Sequence, residues 1–257
     1  MGMAPAEGVR PRLSVVLPAY NEEARLPATL ATWSSYLATQ PYASEIVVAD
    51  DGSRDGTVTV AEAFAATHPD VRVLRLQPNR GKGSAVRQGV LAAEGEIILF
   101  ADADLGVPAH FAAAALATID GGADVATGER SLRVYANEER SIVRLLAGLA
   151  VQISRRALGL TYVRDSQCGF KAFRRDTACA IFGCATIDSF AFDIEALFLA
   201  RRLGAVVQPF PVEMSFQAGS TFNVRKHLPR FLKDIVRVRV NALRGVYVTV
   251  PRPNARR

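Results

Sequence analysis

The sequence is poor in the residues that build disulfide frameworks and zinc sites, and it contains no long apolar run. Three cysteines and three histidines occur among 257 residues. Cys168, Cys179 and Cys184 form neither an even disulfide set nor a paired zinc-ligand spacing, which fits a reducing compartment. No run approaches the roughly 20 apolar residues that span a bilayer, and residues 1–11 lack the apolar segment of a signal peptide. We therefore expect a soluble or peripheral protein of the cytoplasm.

Two common nucleotide-binding motifs are also absent. Neither G-x-x-x-x-G-K-[ST] nor G-x-G-x-x-G follows the first predicted strand, Leu13–Leu17, so ATPase and dehydrogenase interpretations lose their main support. The chain instead alternates apolar strands with amphipathic helices, which is typical of a parallel sheet covered by helices. With 49% hydrophobic residues, it can bury the core of one large α/β domain.

The predicted strand Ile97–Ala101 ends abruptly in two carboxylates, Asp102 and Asp104. Its apolar run predicts burial on both faces, and α/β sheets bind ligands at the carboxyl ends of their strands. Two neighbouring carboxylates repel each other unless a divalent cation joins them to an anion, for which we infer a nucleotide diphosphate. The alternative is a solvated turn that caps the helix after Pro108.

Two other strand exits carry polar residues. Asp50 and Asp51 follow the second predicted strand, and Gly81, Lys82 and Gly83 come soon after the third. The glycines would let the backbone approach a phosphate closely, while Lys82 neutralises its charge. The alternative is a glycine-rich surface turn.

The order of these segments resembles that of the family 2 glycosyltransferases, which have the GT-A fold. The resemblance spans Leu13 to Gly245 and rests on Pro18-Ala19-Tyr20-Asn21-Glu22, Asp50-Asp51-Gly52-Ser53, Gly81-Lys82-Gly83, Asp102-Ala103-Asp104 and Gly128-Glu129-Arg130. It implies a Rossmann-like, mostly parallel α/β sheet flanked by helices. It also implies that the base and ribose of a nucleotide sugar are held by Pro18, Ala19, Tyr20, Glu22, Asp50 and Asp51. Lys82 would approach the phosphates, and Asp102 and Asp104 would bind the ribose and a Mg²⁺ or Mn²⁺ ion.

The second half of the chain resembles dolichyl-phosphate β-glucosyltransferases and their bacterial polyprenyl-phosphate relatives. The segments concerned are Asp165–Phe173, Phe192–Glu195 and Pro211–Met214. Dolichyl-phosphate mannose synthases are similar too, but they have a cation-binding glutamine where this chain has Gly106, which leaves the third metal ligand unidentified. The resemblance implies an inverting, metal-dependent transfer of glucose from UDP-glucose to a polyprenyl or dolichyl phosphate at the cytoplasmic membrane face. A GDP-mannose donor and a saccharide hydroxyl acceptor are the alternatives.

Asp193 and Glu195 lie in a helix predicted to begin near Phe192. By the same resemblance they would orient the sugar or act as a base for a hydroxyl acceptor; otherwise they are ordinary polar helix positions. A phosphate acceptor needs no strong base, because its second pKa of about 6 leaves it largely ionised at neutral pH. Cations could receive it at Arg130, Arg140 and Arg144, with Ser141 adjacent, unless these residues form a solvated basic face.

The net charge of +6 is unevenly distributed, because cations crowd the chain after Asn223. A basic amphipathic helix at this end predicts contact with an anionic membrane surface, or packing on the sheet with a basic outer face. Nucleic acid is not an expected partner, because aromatic residues are not interleaved with the cations; a nucleic-acid-binding module is the non-enzymatic alternative. The expected organisation is a flexible segment 1–11, a GT-A domain 12–222, a membrane-facing helix 223–247 and a flexible basic tail 248–257.

Overall fold

A computed structural model describes residues 10–130, 142–160, 163–214 and 224–247. The strands are β1 (Leu13–Ala19), β2 (Ser44–Asp50), β3 (Val71–Arg75), β4 (Ile97–Ala101), β5 (Val125–Arg130), β6 (Phe170–Arg174) and β7 (Val207–Val212). The helices are α1 (Leu26–Ala38), α2 (Thr57–Ala65), α3 (Lys82–Ala92), α4 (Ala112–Asp120), α5 (Ile142–Ala157), α6 (Arg175–Cys184), α7 (Phe192–Arg202) and α8 (Val224–Leu243), with a 3₁₀ turn at Ala109–Phe111.

The seven strands form one sheet in the order β3-β2-β1-β4-β6-β5-β7. β1 pairs in parallel with β2 and β4, β2 pairs in parallel with β3, and β5 with β7. β6 is inserted antiparallel between β4 and β5, so that Lys171 lies opposite both Phe100 and Thr127. The prediction of a mostly parallel sheet flanked by helices is confirmed, although the sequence interpretation did not include the antiparallel strand.

β4 is buried on both faces, as its apolar run predicts. Ile98 and Phe100 belong to the core formed with α3, α6 and α7. Ile97 and Leu99 belong to the opposite core, formed with α1 and α4. The turn that follows β4 therefore begins between two packed layers.

β1 is longer than predicted, because it continues past Leu17 through Pro18 and Ala19. Proline has no N–H to donate to a ladder. Pro18 costs β1 no hydrogen bond to β4, because the last pair between these strands forms at Val16. The extension brings Ala19 into register with Asp50 at the exit of β2.

The apolar residues of α8 lie on two different faces of the helix. Phe231, Ile235 and Val238 are buried in the core shared with α7. Leu232 and Val236 are instead 44% and 62% exposed. The helix thus packs on the domain through one stripe and presents a second apolar stripe to solvent. Over the described ranges, no helix is both long enough and apolar enough to cross a bilayer.

Candidate active site

Several predicted donor-binding residues meet at the carboxyl edge of the sheet. Ala19 lies in register with Asp50, and its carbonyl accepts a hydrogen bond from the Asp51 amide at 2.9 Å. Asp102 follows β4, the neighbour of β1 on the other side. Because parallel strands end at one edge, residues separated by more than 80 positions in the chain line a common cleft.

The chain leaves β1 through Tyr20, which is exposed, and then reaches Glu22. Two hydrogen bonds from the Arg25 guanidinium, 2.7 and 2.8 Å long, hold the Glu22 carboxylate. Burial raises the pKa of Glu22; the Arg25 contacts oppose this, and the negative charge of Asp104 adds to it. Glu22 thus lies within electrostatic reach of the second carboxylate after β4.

Lys82, the first residue of α3, forms an ion pair with Asp102. Its Nζ lies 2.5 Å from Asp102 Oδ1. Burial alone would lower the pKa of Lys82, but the charges of Asp102 and Asp193 outweigh this effect and raise it. The lysine therefore stays protonated at neutral pH, and the cleft holds a fixed cation beside a carboxylate.

Asp102 is held in turn by Gly169, immediately before β6. The Asp102 amide donates to the Gly169 carbonyl at 3.1 Å. A Cβ atom at position 169 would lie 2.1–2.4 Å from the carboxylate atoms of Asp102. Position 169 therefore requires glycine, because the Asp102 side chain lies against the backbone there.

Asp104 lies in a tight turn beyond β4. Thr29 of α1 donates to the carbonyl of Ala103 at 2.6 Å. Leu105 has a φ of 53°, an uncommon backbone conformation for a non-glycine residue. The Gly106 amide then donates to Asp104 Oδ1 at 3.0 Å, while Oδ2 accepts no hydrogen bond within the described part of the chain.

This turn fits a divalent cation bound mostly by its substrate. Asp102 and Asp104 provide two carboxylates, and the described residues contain no cluster of three or more His, Cys, Asp or Glu side chains that could hold a metal ion. Mg²⁺ is commonly bound by one or two carboxylates together with substrate phosphates and water. The donor set therefore suits a metal that arrives with, or is completed by, a diphosphate.

Asp50 and Asp51 have different environments although they are adjacent. Asp51 accepts hydrogen bonds from the amides of Arg80 and Gly81, at 3.1 and 2.7 Å, so it shapes the loop before α3. Asp50 Oδ2 accepts from the amides at 52 and 53. Its Oδ1 is buried without a hydrogen-bond partner among the described residues. Asp50 thus keeps one oxygen without a described protein donor, whereas each oxygen of Asp51 has one.

Gly81 and Gly83 make room for a protein loop, a role that the sequence interpretation did not include; their approach to a phosphate stays a prediction. Gly81 has a φ of 122°, and a Cβ there would lie 2.4 Å from the Asp188 carbonyl oxygen. The same oxygen accepts a hydrogen bond from the Gly83 amide at 2.9 Å. The Asp188 carboxylate also binds Arg80 and Arg87, at 3.0 and 2.7 Å. No spacing in the sequence links Asp188 to this loop.

Asp193 lies near the cleft in a buried pair with Lys171, a residue to which the sequence interpretation gave no role. Lys171 Nζ is 2.5 Å from Asp193 Oδ1. Burial raises the pKa of Asp193, while the charges of Lys171 and Lys82 oppose this shift. The sequence did contain a signal for this pair, since Lys171 interrupts the apolar residues of β6. A lysine is almost never fully buried unless it is paired, so a buried partner could have been predicted.

Glu195 lies elsewhere, although it is only two residues from Asp193. Its carboxylate accepts hydrogen bonds from the Thr186 amide at 2.9 Å, the Thr186 hydroxyl at 2.8 Å and the Ile187 amide at 2.9 Å. The hydroxyl of Tyr247 donates to it at 2.7 Å. These contacts join the loop before α7 to the segment after α8, and the structure does not bring Glu195 to the cleft.

Arg130, a predicted acceptor ligand, forms a bidentate pair with Asp165, with N–O distances of 2.6 and 2.8 Å. Burial would raise the pKa of Asp165, but the Arg130 contacts hold it below its usual value. Arg140 and Ser141 lie outside the described residues. Arg144 belongs to α5, and the position of its side chain is outside the description.

A Rossmann-like sheet with an Asp-Ala-Asp turn at its carboxyl edge is the arrangement that the resemblance to GT-A glycosyltransferases predicts. The sequence model described as "Glycosyl transferase family 2" matches residues 14–185. The chain therefore belongs to glycosyltransferase family 2, and the family resemblance predicted from the motifs is confirmed.

Curated relatives match most of the chain. A dolichyl-phosphate beta-glucosyltransferase of Dictyostelium discoideum is 33% identical over 249 residues, 91% of this chain and 76% of the relative. Proteins of the same name from Drosophila melanogaster and Homo sapiens are 39% and 32% identical, with 74% and 92% of this chain covered and 63% and 77% of theirs.

Among solved structures, glucosyl-3-phosphoglycerate synthase of Mycobacterium tuberculosis in complex with Mn²⁺, UDP and glucosyl-3-phosphoglycerate has a TM-score of 0.65. It is 20% identical, and the alignment covers 95% of this chain and 82% of that one. At this identity the likeness shows a shared fold.

We expect Gly169→Ala to impair the site while leaving the fold intact. The new methyl group would displace the flexible Asp102 carboxylate, and a misplacement of about 1 Å can cost about 100-fold in catalysis. The measurement is kcat/KM for sugar transfer alongside thermal unfolding. Gly183→Ala is the matched control, because its added methyl group meets nothing within 4 Å in the described ranges. Full activity of Gly169→Ala would contradict the positioning of Asp102 described above.

We expect Glu195→Gln to lower the free energy of unfolding by about 1–3 kcal/mol, because its amide group cannot accept all four hydrogen bonds. Urea denaturation measures this change. Glu94→Gln is the control, since the Glu94 side chain is 65% exposed. Unchanged stability combined with lost activity would instead support the catalytic role predicted for Glu195.

Proposed function

We propose that the protein is an inverting, metal-dependent glycosyltransferase that transfers glucose from UDP-glucose to a polyprenyl or dolichyl phosphate. The observation that carries the proposal is the Lys82–Asp102 pair beside Asp104 at the carboxyl edge of the sheet. A cation and two carboxylates next to each other suit a metal-bound diphosphate, the leaving group of a nucleotide sugar. The names of the curated relatives support a glucosyl transfer and a dolichyl-phosphate acceptor.

On the donor side, Asp50 Oδ1 is suited to accept a hydrogen bond from a base N–H, because it is buried and lacks a partner among the described residues. Lys82 would leave Asp102 for the diphosphate or bridge the two. Solved structures of similar fold contain UDP with Mn²⁺ or Mg²⁺, which supports a uridine donor here. A GDP-mannose donor is the alternative that the same cleft could accept.

Asp104 and Asp102 would hold the metal ion. When bound, the ion acts as a Lewis acid that stabilises the charge developing on the departing diphosphate. The protein's own part is to hold the carboxylates: the Gly106 amide orients Asp104, Gly169 positions Asp102, and Thr29 fixes the turn between them. Lys82 adds a positive charge on the same side.

The carboxylates of α7 favour a phosphate acceptor over a hydroxyl acceptor. One oxygen of Asp193 is paired with Lys171, and Glu195 is held by protein donors, so α7 offers a hydroxyl acceptor at most the second oxygen of Asp193. A phosphate acceptor does not require one, because its second pKa of about 6 leaves it ionised at neutral pH. Arg130 would face this acceptor with its charge partly shared with Asp165, and roles for Arg140, Ser141 and Arg144 stay predictions.

We also propose that the protein binds the cytoplasmic face of a membrane through α8 and the neighbouring α5. Leu232, Val236 and Leu243 are exposed on α8, and Leu149 and Ile153 on α5. Exposed cations accompany the α8 stripe at Arg230, Lys233, Arg237, Arg239 and Arg244. An apolar stripe bordered by cations suits an interface of anionic lipid headgroups, where the protein would meet a lipid-linked acceptor.

Transfer should depend on Asp104. We expect Asp104→Ala to reduce metal-dependent transfer of label from UDP-glucose into organic-extractable lipid by about 100-fold or more, because a stabiliser of the leaving group is removed. Asp176→Ala, at an exposed position of α6, is the control. Full activity in Asp104→Ala would refute the proposed metal site. A water-soluble product would favour a hydroxyl acceptor, and a preference for GDP-mannose would favour the mannosyl alternative.

Membrane binding should depend on the exposed stripe of α8. We expect the double variant Leu232→Asp/Val236→Asp to lose most of its co-sedimentation with vesicles containing phosphatidylglycerol, because two apolar contacts become charges that anionic lipid repels. Leu91→Asp, which alters a 40% exposed residue of α3, is the matched control. Equal binding by both variants would contradict the assignment of this face to the membrane.

A further inference from the structure

A buried polar cluster lies below the Lys82–Asp102 pair, on the face of the sheet covered by α3 and α7. Its members are Lys171, Asp193 and Thr127, which are 0%, 4% and 1% exposed. Charged and polar groups at this depth are costly unless each has a partner. The contacts of the cluster therefore indicate what it is arranged to bind.

Lys171 has a fixed orientation. Its Nζ donates to Asp193 Oδ1 at 2.5 Å and to the Cys168 carbonyl at 2.6 Å. The ammonium group also lies 5.4 Å from the centroid of the Phe100 ring. Contacts from α7, from β4 and from the loop before β6 hold the lysine, and the lysine in turn holds one oxygen of Asp193.

Two polar atoms of the cluster remain without protein partners. Asp193 Oδ2 accepts no hydrogen bond from the residues that the structure describes, and the buried Thr127 hydroxyl has none within the same ranges. Thr127 lies directly opposite Lys171 in the β5–β6 register. Opposed residues of an antiparallel pair project from the same face of the sheet, so the hydroxyl belongs to the same polar layer as the Lys171–Asp193 pair.

The cluster is adjacent to the site of the proposed diphosphate. The charges of Lys82 and Asp102 both act on Asp193. Asp102 also rests on Gly169, two residues before Lys171. A sugar joined to a diphosphate held by Lys82 would extend from this pair, and its hydroxyl groups can both donate to a carboxylate and accept from a threonine.

We propose that Lys171 is a positioning residue that aims the free oxygen of Asp193 at the hydroxyl groups of the transferred hexose, with Thr127 as a second contact to the sugar. This inference rests on the proposed function, because it requires a nucleotide sugar in the cleft. In this proposal Lys171 does not contact the substrate. Lys171 acts through Asp193, whereas Lys82 would contact the phosphates directly.

The test compares the binding of UDP and UDP-glucose, each with Mn²⁺, by titration calorimetry. For Asp193→Asn and for Thr127→Val we expect the affinity for UDP to stay within about twofold. The affinity for UDP-glucose should fall by at least about tenfold for Asp193→Asn, as expected when a hydrogen bond to a charged group is lost. Equal losses for UDP and UDP-glucose would show a merely structural cluster and overturn the inference.

A double variant tests whether Lys171 acts through Asp193. Lys171→Met alone leaves a buried carboxylate unpaired and could unfold the protein, whereas Lys171→Met/Asp193→Asn removes both charges together. We expect the double variant to lose no more affinity for UDP-glucose than Asp193→Asn, because the two residues share one contact to the sugar. A further tenfold loss specific to UDP-glucose would make Lys171 a direct ligand and overturn the positioning role. Wild-type protein that binds neither UDP nor UDP-glucose would overturn the proposed donor as well.

Discussion

The ion pair between Lys82 and Asp102 is the contact on which the cleft depends, since it joins the start of α3 to the exit of β4. The second half of the chain contacts both partners. Gly169 lies against Asp102, and Asp188 holds the start of α3, where Lys82 is the first residue. An incoming diphosphate could thus compete for Lys82 without rearranging the backbone. A site whose cation is already oriented needs little reorganisation when negative charge develops on a leaving group.

The carboxylates around this pair divide by what their oxygens contact. Both oxygens are occupied by protein donors in Asp51, Asp188 and Glu195. One oxygen has no such partner in the described part of the chain in Asp50, Asp104 and Asp193. The contacts of the first group hold loops in place, whereas each member of the second group keeps an oxygen that no described donor contacts. The second group therefore contains the carboxylates best suited to meet a ligand or a metal ion.

The proposed acceptor is compatible with a cleft that stabilises charge. A lipid phosphate brings its own negative charge as nucleophile, and the protein then has to supply a surface where the lipid can be met. The buried stripe of α8 and Asp234, which accepts a hydrogen bond from the Ser189 hydroxyl at 2.6 Å, attach the helix to the loop that supports Lys82. Its exposed stripe is the surface that we propose for membrane contact.

Local pattern determined much of the architecture. The apolar run of β4 predicted its double burial, and the carboxylates that follow it predicted the edge where the cleft forms, because strand period and strand polarity are properties of short segments. Tertiary structure decided the rest. Asp193 and Glu195 are two residues apart on α7, yet one lies by the cleft and the other is enclosed by the Tyr247 hydroxyl and the Thr186 loop. Gly81 accommodates the Asp188 loop, and Lys171 acquires its partner from α7. Such roles depend on which distant segment packs against a residue. The spacing of residues within one helix or strand does not specify that long-range packing.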